Sequence, residues 1–131
     1  MDNAETSNWN FDKIYKINFV LSNVLPNFGD KNADGNDLSG NANTINGDLN
    51  SIKHYIGELF FLRACEYFKR YQLFGDFPII THPLLDDKEA LSEASKRSPR
   101  NEVARFILSD LDKAITLLKA KNMPTTRINA D

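Results

Sequence analysis

Apolar side chains return every three or four positions along three stretches of the chain, and polar, turn-forming residues fill the stretches between them. In the first, Trp9, Ile14, Ile17, Val20, Leu21 and Val24 share one face and Pro26 follows, which predicts an amphipathic helix over about 9–25. The second opens near Asp48 and runs to Phe74, where Gly75 suits the residue just past a helix end and Pro78 forbids continuation. Its middle, ELFFLRACEYFKRYQLF, is apolar or aromatic on most of its circumference, so neighbours must cover it on several sides. Ser98 as cap and Pro99 at the first helical position announce the third. Its stripe is Val103, Phe106, Ile107, Leu111, Ala114, Ile115 and Leu118 up to about Lys121, with Lys119 and Lys121 suiting the negative helix end. No paired strands are expected. The predicted class is all-α, with helices over about 9–25, 48–74 and 98–121 and loops 26–47 and 75–97 in one domain spanning 1–131. A short helical turn is expected around Lys88–Ala94. The ending, Met123-Pro124 and then TTRINAD, reads as the approach to another helix, so the chain is expected to be a fragment.

Composition adds exclusions. At 131 residues, 41% hydrophobic and 26% charged, there is room for one globular domain with a modest core. A net charge of -2 gives no electrostatic reason to bind nucleic acid or an anionic membrane. No apolar run approaches the roughly 20 residues that span a bilayer. MDNAETSNWN lacks the basic, apolar and small-residue pattern of an export signal, so either the mature chain is cytosolic or a signal was removed before this sequence begins. The single cysteine, Cys65, excludes an internal disulfide.

Chemistry is sparse. His54 and His82 have no second ligand at a zinc spacing and read as structural or surface histidines. Cys65, between Ala64 and Glu66, reads as a small buried thiol. Asp86-Asp87 belong to a solvated loop, and Glu66 and Asp110 to structural ion pairs. No nucleophile, metal cluster or phosphate loop can be named, so the chain is not read as an enzyme. Arg63 is more informative because it interrupts the most apolar part of the second helix. A buried guanidinium needs a carboxylate, and Asp110 or Asp76 are the available partners, giving all three a structural role.

The loop segment DKNADGNDLSGN, from Asp30 to Asn41, begins like a calcium loop, with Asp30, Asn32, Asp34 and Asn36 on alternate positions and Gly35 between the last two. A helix-loop-helix calcium site also needs a helix running into its first residue and a glutamate at its twelfth. Pro26 and Gly29 break the incoming helix, Asn41 stands twelfth, and polar chain through Gly47 follows. That excludes the tight form. A looser calcium site on Asp30, Asn32, Asp34 and a carbonyl stays open beside a plain solvated connector.

Three ordered blocks resemble a known family. GELFFLRACEYFKRYQLFGDFPIIT (57–81) resembles the signature of SusD/RagB outer-membrane nutrient-binding lipoproteins of Bacteroidetes, through Glu58, Phe61 to Ala64, Tyr67-Phe68, Phe74 to Asp76 and Pro78. Phe74 stands where the family usually has tyrosine. WNFDKIYKINFVLSNV resembles the family's first helix, with Trp9, Tyr15, Ile17 and Asn18 in register. RSPRNEVARFILSDLDKAITLL resembles a later block through Arg97, Glu102-Val103, Ile107 and Asp110-Leu111, and Arg127 matches an arginine before the next helix.

The resemblance implies tetratricopeptide-like antiparallel helical hairpins from the N-terminal part of a longer protein. Small Ala64 and larger Phe68 stand at a spacing that such repeats use. It implies a surface protein of the outer membrane, lipid-anchored when full-length, that delivers a glycan or peptide to a SusC-like TonB-dependent transporter. The loop outside the signature blocks then becomes the candidate ligand surface, through Asp34, Asn36, Asp37, Asn41 and Asn43. A generic helical interaction module without small-ligand binding is the alternative. Two or three helices alone would leave part of Phe60, Phe61, Tyr67 or Tyr71 uncovered, so the isolated chain is expected to be marginally stable, oligomeric, or completed by other chains.

Overall fold

A computed structural model of the chain describes residues 11–83 and 97–129, with side chains as far as Leu118 in the second span. Three helices make up its regular structure: α1 (Asp12–Phe28), α2 (Leu49–Phe74) and α3 (Arg100–Asn129). Among the described residues the fold is all-α, with one isolated antiparallel bridge between Phe77 and Ser98. Trp9, Asp86-Asp87 and the turn expected at Lys88–Ala94 lie outside the described residues.

Local chemistry sets the helix ends, and two ends differ from expectation. Pro26 does not stop α1. It sits inside the last turn, where its missing N–H removes one bond only, and Gly29 (φ 120°) ends the helix, its N–H donating to the carbonyls of Leu25 and Pro26. Asp48 caps α2 by accepting hydrogen bonds from the Ser51 N–H (2.9 Å) and Oγ (3.0 Å), and Gly75 (φ 76°) closes it through a bond to the Tyr71 carbonyl. Ser98 does not cap α3. Its N–H and carbonyl are used by the bridge to Phe77, and the Pro99 carbonyl receives the N–H groups of Glu102 and Val103 instead. At its far end α3 runs past Lys121 and through Pro124 to Asn129. Proline removes one donor from the ladder there without ending the helical backbone.

α2 is the centre, antiparallel to both neighbours. Against α3 it packs closely at Gly57, where an added Cβ would stand 3.0 Å from Leu117 Cβ. Two apolar clusters form. One joins Leu21, Leu25 and Phe28 to Ile56, Leu59 and Phe60 and to Ala114 and Leu117. The other joins Ile14 to Ala64 and Tyr67, Phe77, Val103 and Ile107. Helix α3 therefore buries the line Val103, Ile107, Asp110, Ala114, Leu117, while Ile115, expected in the stripe, is 61% exposed because it lies one residue off that line.

The covering of α2 is one-sided. Phe60 and Tyr67 are buried, Tyr71 is half-buried, and Phe61, Leu62, Phe68 and Leu73 are about half exposed. Ala64 packs in the core while Phe68 faces outward. Leu108 and Ile115 likewise border an open groove along α3. No described helix is long and apolar enough to cross a membrane.

Candidate functional site

A charged layer separates the two apolar clusters, with one residue from each helix. The Arg63 guanidinium donates from Nε to Asp110 Oδ2 (2.7 Å) and from Nη2 to Asp110 Oδ1 (3.0 Å), and from Nη1 to Asn18 Oδ1 (2.8 Å). All three side chains are buried. The guanidinium also lies between the rings of Phe60 and Phe106, 5.4 and 5.1 Å from their centroids. A bidentate ion pair whose third guanidinium nitrogen also finds an acceptor is the arrangement in which a buried charge is tolerable. Asp76, the alternative partner, is exposed at the turn after α2, and Arg63 bonds to Asp110 and Asn18 instead. Glu66 pairs with Arg70 (2.7 Å) and Lys69 (3.4 Å) on its own helix.

The layer extends into the segment after α2. Asn18 Nδ2 donates to the Ile80 carbonyl (2.9 Å), and the Ile80 N–H donates to the Tyr67 hydroxyl (2.8 Å). Burial pushes the Tyr67 phenol up to about 12, the backbone contact at Ile80 and the Arg63 charge opposing this more weakly. With the Phe77–Ser98 bridge and Phe77 packed among Phe11, Tyr67 and Phe74, residues 77–80 form a strap held at both ends. Pro78 fits because it lies outside the helices, where no helical donor is lost.

The loop after α1 is built by its own polar groups. The Asp30 carboxylate is buried and accepts from the backbone N–H groups of Gly35 and Asn36. Asp37 accepts from Ser39 N–H (3.3 Å) and Oγ (2.8 Å), and Asn43 exchanges two hydrogen bonds with the Ile45 backbone. Thr44 ties the loop back to the Asn27 carbonyl. Asn32, Asp34, Asn36 and Asn41 are exposed. Of the residues expected to face a ligand, Asp37 and Asn43 also bond within the loop, and Asp34, Asn36, Asp37 and Asn41 are exposed. Of the three calcium candidates, Asp30 points to amides inside the loop while Asn32 and Asp34 are exposed. Among the described residues no group of three or more His, Cys, Asp or Glu side chains is placed to hold a metal ion. His54 lies 3.7 Å from Glu58, and His82 lies 3.7 Å from Asp34. Cys65 is half-buried, less enclosed than the sequence suggests.

A cavity of about 160 Å³ lies among the helices, the loop after α1 and Thr81, the residue following the strap. Its wall is Leu21, Leu25, Phe60 and Phe106, and its polar edge is Asp34, Arg63, Thr81 and Lys113. Lys113 gave no signal in the sequence, since it falls on the polar side of the α3 pattern and its neighbour Asp34 is 79 residues away. Its Nζ sits 5.2 Å from the Phe60 ring centroid and donates to the Asp34 carbonyl at 3.3 Å. Burial lowers its pKa from the ordinary lysine value; the Asp110 carboxylate opposes that shift most, with smaller contributions from Asp30 and Asp34.

Comparisons with known proteins place this architecture of strapped helices with a polar-edged cavity in a family. The SusD-like family model described as "Starch-binding associating with outer membrane" matches residues 2–130. SusD-like protein P2 of Formosa agariphila is 35% identical over 79 residues, which cover 60% of this chain and 15% of that protein, so the chain aligns with only a small part of that relative. No solved structure matches. The family consists of binding proteins rather than enzymes. With the family model covering nearly the whole chain, and the Arg63–Asp110 pair joining two of the blocks that carry the likeness, this chain belongs to the SusD-like family.

Proposed function

We propose that this chain is the helical scaffold of a surface nutrient-binding protein of the outer membrane, which captures a glycan or peptide and passes it to a SusC-like TonB-dependent transporter. The observation that carries the reading is the family match over residues 2–130 and its description as starch-binding and outer-membrane-associated. The geometry supports it. The block with the strongest family likeness spends Arg63, Tyr67 and the Phe77–Ile80 strap on fixing the position from which the following segment leaves the helices. A fixed scaffold below variable loops suits recognition, because loops then bind from a rigid base. In this reading Asp34, Asn36 and Asn41 face the ligand, a lipid anchors the full-length protein, and the exposed face of α2 is covered by further parts of the assembly.

The test is isolation of the tagged protein from the outer-membrane fraction of its native host, followed by affinity electrophoresis on polysaccharides and titration with peptides. Retardation by a glycan or binding of a peptide, together with co-isolation of a TonB-dependent transporter, is expected. A second reading, a helical module that binds only other proteins, draws on the half-exposed Phe61, Leu62, Phe68 and Leu73. It takes over if the native protein retains neither glycan nor peptide.

A further inference from the structure

The cavity under the loop has a chemistry of its own. Lys113 is half-buried, and one of its three ammonium donors is used, on the Asp34 carbonyl. Among the described residues no carboxylate oxygen lies within ion-pair distance of it, whereas the Arg63 guanidinium on the same edge is neutralised by Asp110. Asp34, whose carboxylate lies 3.7 Å from the His82 ring, adds an acceptor and Thr81 a hydroxyl. The edge thus offers donors from Lys113 and Thr81 beside acceptors from Asp34 and Thr81, facing an apolar wall.

That pairing discriminates between occupants. A free anion would meet Asp34, with Asp30 close behind, and a cation would meet Lys113. A neutral ring carrying hydroxyls suits both, because each hydroxyl donates and accepts while the carbon–hydrogen face of the ring lies on Leu21 and Phe106. Size narrows the choice further. About 160 Å³ is room for several waters at about 30 Å³ each, yet it falls below the roughly 300 Å³ at which ordinary ligand pockets begin. That volume suits an occupant of about one ring rather than an oligosaccharide.

We propose that this cavity is a subsite for a single neutral sugar ring, with Lys113, Asp34 and Thr81 as its hydroxyl partners. The proposal rests on the nutrient-binding reading and gives it one site on this chain. The experiment is saturation-transfer NMR and calorimetry on the chain with methyl glucoside, methyl galactoside and methyl mannoside, with glucuronate and glucosamine as charged counterparts. At least one neutral ring binds more tightly than either charged sugar. Lys113→Met weakens it by roughly tenfold or more, as loss of a charge-assisted hydrogen bond requires, and the isosteric Thr81→Val weakens it severalfold with the melting temperature unchanged. The subsite is overturned if no neutral ring binds, if glucuronate or glucosamine binds better, or if Lys113→Met and Thr81→Val bind as the parent does. If the native protein still retains polysaccharide in those cases, the subsite alone has failed; if it retains neither polysaccharide nor peptide, the nutrient-binding reading has failed.

Discussion

Replacing Arg63 by methionine tests the charged layer most directly, because the stem volume is kept and only the guanidinium is lost. Asp110 is fully buried and receives two hydrogen bonds from Arg63, at 2.7 and 3.0 Å. Without them its carboxylate stays in the core with no hydrogen-bonded counter-charge, Lys113 acting on it only from beyond ion-pair distance, and Asn18 Oδ1 loses its donor as well. Breaking one side of such a pair costs about 3–5 kcal/mol, against a total stability of about 5–15 kcal/mol for a domain. For a chain of this size that lowers Tm by about 10–20 °C. The double variant Arg63→Met with Asp110→Leu removes the stranded charge too and recovers most of the loss, since apolar replacement of a whole buried pair is often neutral. Urea denaturation of the two singles and the double gives the coupling. A single variant costing less than about 1 kcal/mol, or a double whose loss equals the sum of the singles, would refute the assignment of Arg63 as the tie between helices.

Three further outcomes are expected. The Tyr67 phenol is raised to about 12 from 10.0 in the unfolded chain, so stability is full below pH 10 and falls as the pH rises towards 12, by at most roughly 2.7 kcal/mol for this group; denaturant midpoints taken across that window fall less steeply in Tyr67→Phe. Gly35→Ala destabilises by about 1–3 kcal/mol, because φ is +80° there and the new Cβ would stand 3.0 Å from Phe60 Cζ and 3.1 Å from Lys113 Nζ; an unchanged melting curve contradicts this. Calcium leaves Tm where it is, since the Asp30 carboxylate is held by the Gly35 and Asn36 amides; a rise in Tm that Asp34→Ala abolishes would reinstate the loop as a metal site.

Helix positions were legible because burial imposes a 3-to-4 spacing on any chain that hides one face. The need for a partner at Arg63 was legible too, as a charge in an apolar run demands an opposite one. Asn18 as third member was not singled out, although it shares the face of Ile14, Leu21 and Leu25 and so sits where an apolar residue would be expected. Pro26 misled because a proline in a last turn forfeits little. The loop was legible as a candidate but not in its detail. Oxygen-rich side chains serve cations, sugars and backbone turns alike, and only the fold shows that Asp30, Asp37 and Asn43 also bond within the loop. Lys113 and Asp34 meet through tertiary structure alone, so no local pattern announces their cavity.

The strap at Ile80 acts on divergence as much as on structure. Its carbonyl and N–H are both tied, one to α1 and one to α2, so the chain that continues beyond it starts from one address in space whatever residues come next. A change in the length or sequence of that continuation leaves the two hydrogen bonds at Ile80 in place. Such an anchor separates the course of the continuing chain from the packing of the helices beneath it.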